Sequence, residues 1–260
     1  MGTSGASRDG GSSGARLRAT DVARAFKGVQ ALEGLNFELG RHEVVGLIGP
    51  NGAGKTTLIN VITGFDRPTA GAIELDGVDV TGWPASRRAR AGLARTFQQG
   101  RVFGELTVQE NVELGALGVG AGAHQARARA DELLSIMQLA DHAKLPASLL
   151  AHGEQRKVAV ARALASRPRY VLMDEPAAGL FESDISAFAE VIRSVRDGYD
   201  AGVLIVDHNM ALIMAVSDRI EVLDQGRSLA SGTPEEIRRN IDVAAAYLGA
   251  SGVTAERERG

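Results

Sequence analysis

Gly49-Pro50-Asn51-Gly52-Ala53-Gly54-Lys55-Thr56 fits the pattern G-x-x-x-x-G-K-[ST]. An apolar run, Val44-Val45-Gly46-Leu47-Ile48, precedes it, and KTTLINVITG follows with apolar residues at helical spacing. A loop in that setting turns backbone N–H groups inward around phosphate oxygens. Gly52 and Gly54 permit dihedrals and close approaches that a side chain would block. The helix that follows offers its positive end to the anion. Lys55 is expected to reach the β and γ phosphates, and Thr56 to place its hydroxyl on Mg²⁺, with Asn51 and Thr57 completing the cradle. The expected ligands are ATP and Mg²⁺.

A second group of candidates ends a later apolar run. Val171-Leu172-Met173 leads into Asp174 and Glu175, and Pro176 stops the strand. On their own, two acids at this point could equally mark a helix N-terminus. With a phosphate loop upstream, Asp174 is expected to hold the metal through water and Glu175 to orient or deprotonate the attacking water. His208 follows the run Val203–Val206 and could donate to a γ-phosphate or organise the water. Asp207 beside it reads either as its partner or as a solvated acid.

These residues need a sheet to align them. Apolar runs at 44–48, 170–173, 203–206 and 220–223 alternate with helical stretches, which predicts an α/β core with a mostly parallel sheet. Strands are also expected over 32–39 and 71–77. Residues 107–166 look helical and form an inserted block, with Thr107 and Glu110 at capping-box spacing. Helices are expected at 126–139 and 154–165, with a break at 118–123. The glycine- and serine-rich residues 1–16 read as a disordered tail and 251–260 as a second one, leaving a single domain over 17–250 with its helical part at about 100–166.

Composition narrows the partners. The formal net charge of -3 carries no basic signature for nucleic acid. The local cluster Arg87, Arg88, Arg90 and Arg95 reads first as a solvated or partner-facing surface. There is no Cys, so disulfides and thiolate chemistry are excluded. No run is long and apolar enough to cross a bilayer.

Leu150-Ala151-His152-Gly153-Glu154, followed by Gln155 and Arg156, resembles the signature motif of the ATP-binding-cassette (ABC) transporter superfamily, whose usual form is LSGGQ. The other motifs stand in the family's order over about residues 18–248. The resemblance implies a P-loop NTPase core with an antiparallel β subdomain and an inserted α-helical subdomain. It makes Phe26 the aromatic that stacks on adenine and Gln98 the glutamine that reaches the metal and attacking water. It makes Asp174 and Glu175 the Walker B pair and His208 the switch histidine. It also implies that Ala151, His152, Gly153 and Glu154 of one subunit close over ATP on the Lys55 loop of a second cassette subunit, related or identical. Membrane permease subunits, and through them a substrate-binding protein, are the further implied partners. They would hold the chain, which has no spanning segment of its own, at the cytoplasmic face of the membrane. Two departures bear on turnover: Ala151 stands where the family usually has Ser, and Phe181 where it usually has Asp.

A narrower resemblance points to importers of branched-chain amino acids. It rests on RTFQQGRVFGELTVQENV, on LAHGEQRKVAVARALASRPRYVLMDEPAAGL and on the tail TPEEI…AAYLG. Importers of urea or short amides are the near alternative, and a soluble ABC ATPase without a transport role is the distant one. Arg101, Val102, Phe103 and Leu106 are the expected contacts to the membrane subunits.

Overall fold

A computed structural model describes residues 15–96, 102–180 and 182–247, with the side chains of 182–184 excepted. The chain opens with β1 (Arg16–Phe26) and β2 (Val29–Gly40), then enters β3 (Val44–Ile48) and α1 (Lys55–Thr63). Next come β4 (Ala70–Leu75), β5 (Val78–Asp79), α2 (Ala85–Arg90) and β6 (Leu93–Arg95). Helices α3 (Val108–Leu117), α4 (Ala123–Ile136) and α5 (His152–Ala165) form the inserted block. The core resumes with β7 (Tyr170–Asp174), α6 (Glu182–Tyr199), β8 (Gly202–Val206), α7 (Met210–Val216), β9 (Arg219–Asp224), β10 (Arg227–Gly232) and α8 (Pro234–Arg239). Strand β1 thus begins inside the stretch expected to be tail.

Two sheets result. The larger has the order β10-β9-β3-β8-β7-β6, parallel from β9 to β6 with β10 antiparallel at its edge. The smaller, β2-β1-β4-β5, is antiparallel throughout. Its hairpins turn at Lys27-Gly28 and Asp76-Gly77, where both φ angles are positive, the arrangement that two-residue hairpin loops favour.

Strands β3, β7 and β8 are buried along their whole length because both faces of the parallel sheet are covered. Side-chain alternation then sorts the core into two clusters. Val45, Leu47, Leu172 and Leu204 pack with α1 and the antiparallel sheet. Val44, Ile48, Val171, Met173 and Val203 pack with α6, α7 and the inserted helices.

The inserted helices start where capping dictates. Thr107 Oγ1 accepts from Glu110 N at 3.1 Å and Glu110 Oε2 accepts from Thr107 N at 2.8 Å, the expected capping box. Helix α4 begins at Ala123, three residues before the expected position, with Gly122 as its N-cap. Helix α3 meets α5 at backbone distance: a Cβ on Gly115 would stand 1.8 Å from the Arg162 carbonyl oxygen.

The basic cluster is only partly the solvated surface that its composition suggested: Arg87 and Arg90 are exposed, while Arg88 turns inward. Arg88 is 1% exposed. It donates to the Val61 and Ile62 carbonyls at 2.7 and 2.6 Å, and to Thr81 and Trp83 carbonyls at 2.8 and 3.1 Å. It therefore satisfies the orphan carbonyls at the C-terminal end of α1 and complements that end of the helix dipole. Arg95 is drawn into the site described next.

Candidate active site

Strand β3 ends at Ile48, which pairs with Val222 of β9, and the chain then turns out of the sheet. Gly49 and Gly54 have φ of 150° and 104°. A Cβ at Gly49 would lie 2.1 Å from the Leu223 carbonyl oxygen, and one at Gly54 2.7 Å from that of Ala31. These two glycines let the loop pack directly on backbone.

Helix α1 begins with no side-chain cap and no acid in its first turn. Its first N–H groups therefore keep the polarity that receives an anion. Lys55 Nζ donates to the carbonyls of Gly49 and Pro50 at 2.7 and 3.0 Å. Burial lowers the Lys55 pKa, and the carboxylates of Glu175 and Asp174 oppose that shift.

One cleft of about 210 Å³ joins this loop to the ends of β7 and β8. It is lined by Asn51, Gly52, Gly54, Lys55, Thr56 and Thr57 together with Asp174, Glu175 and His208. The sites predicted from three separate sequence motifs are thus brought to one place.

Asp174 is 3% exposed and accepts from Arg95 Nη2 at 3.1 Å. Arg95 Nη1 donates to Asn60 Oδ1 of α1 at 2.6 Å, which ties the strand to the helix after the loop. Burial raises the Asp174 pKa, against the pull of Arg95. Glu175 has a positive φ of 48°, and its N–H donates to the Val206 carbonyl at 2.7 Å. That twist brings Glu175 Oε1 to 3.1 Å from His208 Nε2. Asp207 is buried and is neither a solvated acid nor the partner of His208. Its Oδ2 accepts from Ala177 N at 2.9 Å and its Oδ1 from Asn209 N at 2.8 Å.

Ala151 is the N-cap of α5, which starts at His152, two residues before the expected position. The Ala151 N–H donates to Glu154 Oε2 at 3.0 Å. This is half of a capping box, since Ala151 has no hydroxyl to return a bond to the helix N-terminus. Ala151, His152, Gly153 and Glu154 do not line the cleft that holds Lys55. Phe26 sits at the β1–β2 turn, 41% exposed, with the Arg24 guanidinium 4.3 Å from its ring centroid. One face of the ring is therefore already taken. Gln98, Arg101 and Phe181 lie outside the described residues.

The fit to a nucleotide rests on the loop cradle and the cation at Lys55. No cluster of three or more His, Cys, Asp or Glu suited to a metal occurs among the described residues. Mg²⁺ bound with a nucleotide needs few protein ligands, because phosphate oxygens and water complete its shell. Thr56 and Asp174, which line the cleft, are the residues that would hold it.

The family model described as "ABC transporter" matches residues 32–178. The chain belongs to the ABC transporter ATPase family. A second model, "Branched-chain amino acid ATP-binding cassette transporter", matches residues 227–253. Among curated relatives, the high-affinity branched-chain amino acid transport ATP-binding protein LivG of Escherichia coli strain K12 is 42% identical, over 90% of this chain and 97% of LivG. BraF of Pseudomonas aeruginosa, named for the same transport, is 40% identical over the same shares. The crystal structure of a nucleotide-free ATP-binding cassette from an ABC transporter superposes with a TM-score of 0.78 at 26% identity, covering 90% of this chain and 98% of that one. A dimeric bacterial ABC transporter cassette gives 0.76 at 27% identity, covering 84% and 98%. This cassette is an ATPase whose hydrolysis is coupled to transport. No helix among the described residues is long and apolar enough to cross a membrane.

Sequence reasoning missed Arg95 as the partner of Asp174 and misread Asp207. A polar side chain at the end of a sheet strand was the available signal for both.

Proposed function

We propose that this chain is the nucleotide-binding subunit of an importer for branched-chain amino acids. The carrying observation is the match of its C-terminal segment 227–253 to the branched-chain amino acid cassette model. The LivG and BraF relatives, matched over nearly their whole length, support it.

In this reading the Gly52–Thr57 cradle and Lys55 bind the phosphates, and Thr56 and Asp174 would hold Mg²⁺, which would supply charge neutralisation for phosphoryl transfer. Glu175 takes the proton of the attacking water, and His208 fixes the Glu175 carboxylate at the observed 3.1 Å. Adenine stacks on the face of Phe26 opposite Arg24. The exposed N-terminus of α5 is separate from the Lys55 cleft, which suits closure over ATP held by a second subunit.

The permease partner is assigned to an apolar groove of about 490 Å³ between the core and the inserted helices. Phe103 lines it, 54% exposed, with the Arg162 guanidinium 5.3 Å from its ring centroid. Buried Asn111 fixes this segment by accepting from Phe103 N at 2.8 Å and donating to the Phe103 carbonyl at 2.9 Å. A permease helix seated here would place the chain at the membrane.

Deleting the gene and measuring uptake of labelled leucine, urea and acetamide tests the assignment. Loss of leucine uptake, restored by the parent chain and not by a Lys55→Ala variant, is expected. Intact leucine uptake with loss of urea or acetamide uptake would reassign the solute.

A further inference from the structure

The phosphate loop has an anchor that its motif does not contain. The Gly49 N–H donates to the Tyr247 hydroxyl at 2.8 Å, across 198 residues of sequence. Tyr247 lies in a helical stretch described over 241–247. That stretch is seated by Val243, buried in the cluster that also holds Ile220 and Val222 of β9. The preceding helix α8 is fixed by Thr233, whose Oγ1 accepts from Glu236 N at 3.3 Å. The tail therefore reaches the loop through packed structure.

Gly49 is where such an anchor has most leverage. It is the first residue beyond the β3–β9 ladder. Its N–H goes to Tyr247, and its carbonyl accepts from Lys55 Nζ at 2.7 Å. The same residue thus links the C-terminal tail to the cation that meets the phosphates. Leu223 of β9 leaves no room for any other residue at Gly49, so its orientation is set by these contacts and by backbone packing. Burial raises the Tyr247 pKa, which keeps the phenol neutral and the Gly49 contact a hydrogen bond between uncharged groups.

We propose that Tyr247 is a positioning residue for ATP binding: through Gly49 it pre-organises the phosphate loop, so the C-terminal segment sets nucleotide affinity. The inference rests on the reading of the Lys55 cleft as the ATP site and is independent of the solute transported. A pre-formed loop binds without paying to order itself, and that saving is realised equally in the ground and transition states. Loss of the anchor should therefore raise Kd and KM and spare kcat.

Tyr247→Phe removes one oxygen and keeps the ring. For the full chain, ATP affinity is measured by titration, steady-state turnover by phosphate release, and Tm by calorimetry. One lost hydrogen bond predicts Kd and KM raised about three- to tenfold, with kcat changed less than about twofold and Tm little altered. Hydrogen exchange in peptides spanning 44–58 should accelerate in the variant without nucleotide. Unchanged Kd and KM with unchanged exchange would overturn the inference, as would a fall in kcat at constant KM. A parent chain that failed to bind ATP would instead remove the site reading itself.

Discussion

Glu175 Oε1 and His208 Nε2 stand 3.1 Å apart although they leave different strands of the sheet. The carboxylate is the only one of the two adjacent acids so engaged, since Asp174 is turned to Arg95. Glu175→Gln keeps the shape and a hydrogen-bonding contact to His208 but removes the base. Turnover should fall about 10²–10⁴-fold while ATP remains bound and holds two cassettes together. Parent-like phosphate release would remove Glu175 from the reaction.

Asp174 predicts a trade between stability and activity. Burial raises its pKa in the folded chain above the ordinary carboxylate value. Folding is thus favoured by the protonated form. That contribution is complete below the unfolded-state pKa and is lost as pH rises through the folded one. Asp174→Asn cannot ionise, so without metal it should match or exceed the parent's Tm at pH 7. The difference should vanish or reverse below about pH 4, near the ordinary Asp pKa. The same variant should lose Mg²⁺-dependent hydrolysis. A variant that is less stable than the parent at neutral pH would refute the sign.

Closure between subunits can be tested by mixing. A Cβ on Gly153 would meet only the Leu180 Cδ2 atom, at 3.1 Å, the mobile end of a side chain. Gly153→Asp should therefore fold and bind ATP as a monomer, yet fail to close over the phosphates of a partner. Mixed with Lys55→Ala in a homodimer, it should recover part of the lost hydrolysis, because one intact composite site is rebuilt. Mixed dimers that form and stay inactive would count against contribution of the signature by the other chain.

Arg88 predicts a purely structural loss. Its removal takes a donor from four main-chain carbonyls around the end of α1, of which that of Val61 keeps the Gly64 N–H as a partner. With each unsatisfied buried group costing about 1–3 kcal/mol, Arg88→Met should destabilise the fold by about 3 kcal/mol or more. Denaturant unfolding measures it, and a loss below about 1 kcal/mol would show that water or rearrangement replaces the guanidinium.

Phe103→Ala tests the permease groove. Truncating a central aromatic anchor costs about 1–2 kcal/mol or more in an interface, near tenfold in affinity. Binding to the permease subunits should weaken by that order, with ATP binding by the isolated chain unchanged. Full assembly and transport in the variant would place the docking surface elsewhere.

The phosphate loop, the acidic strand end and His208 were legible because each sits where a short apolar strand gives way to polar residues. The parallel sheet was legible from the same runs. Strand β1 was not, because the alternation of Leu17 and Ala19 with polar residues lasts only two periods before a register shift moves the next buried position to Val22. Strand β6 has only three residues and shows no periodicity. The contacts that refine the site escaped for another reason. Arg95 reaches Asp174 across 79 residues and Tyr247 reaches Gly49 across 198. Neither residue type carries a local pattern that names its partner. Arg88 was misread because a basic run on a short helix gives no sign that one member turns inward.

Asp207 accepts one N–H from the loop after β7 and one from the loop after β8, and so staples the peptide segments that bear Glu175 and His208. The spacing of the two side chains is thus set by main chain as well as by their own mutual contact. The two segments are thereby joined by an acid that does not itself line the cleft.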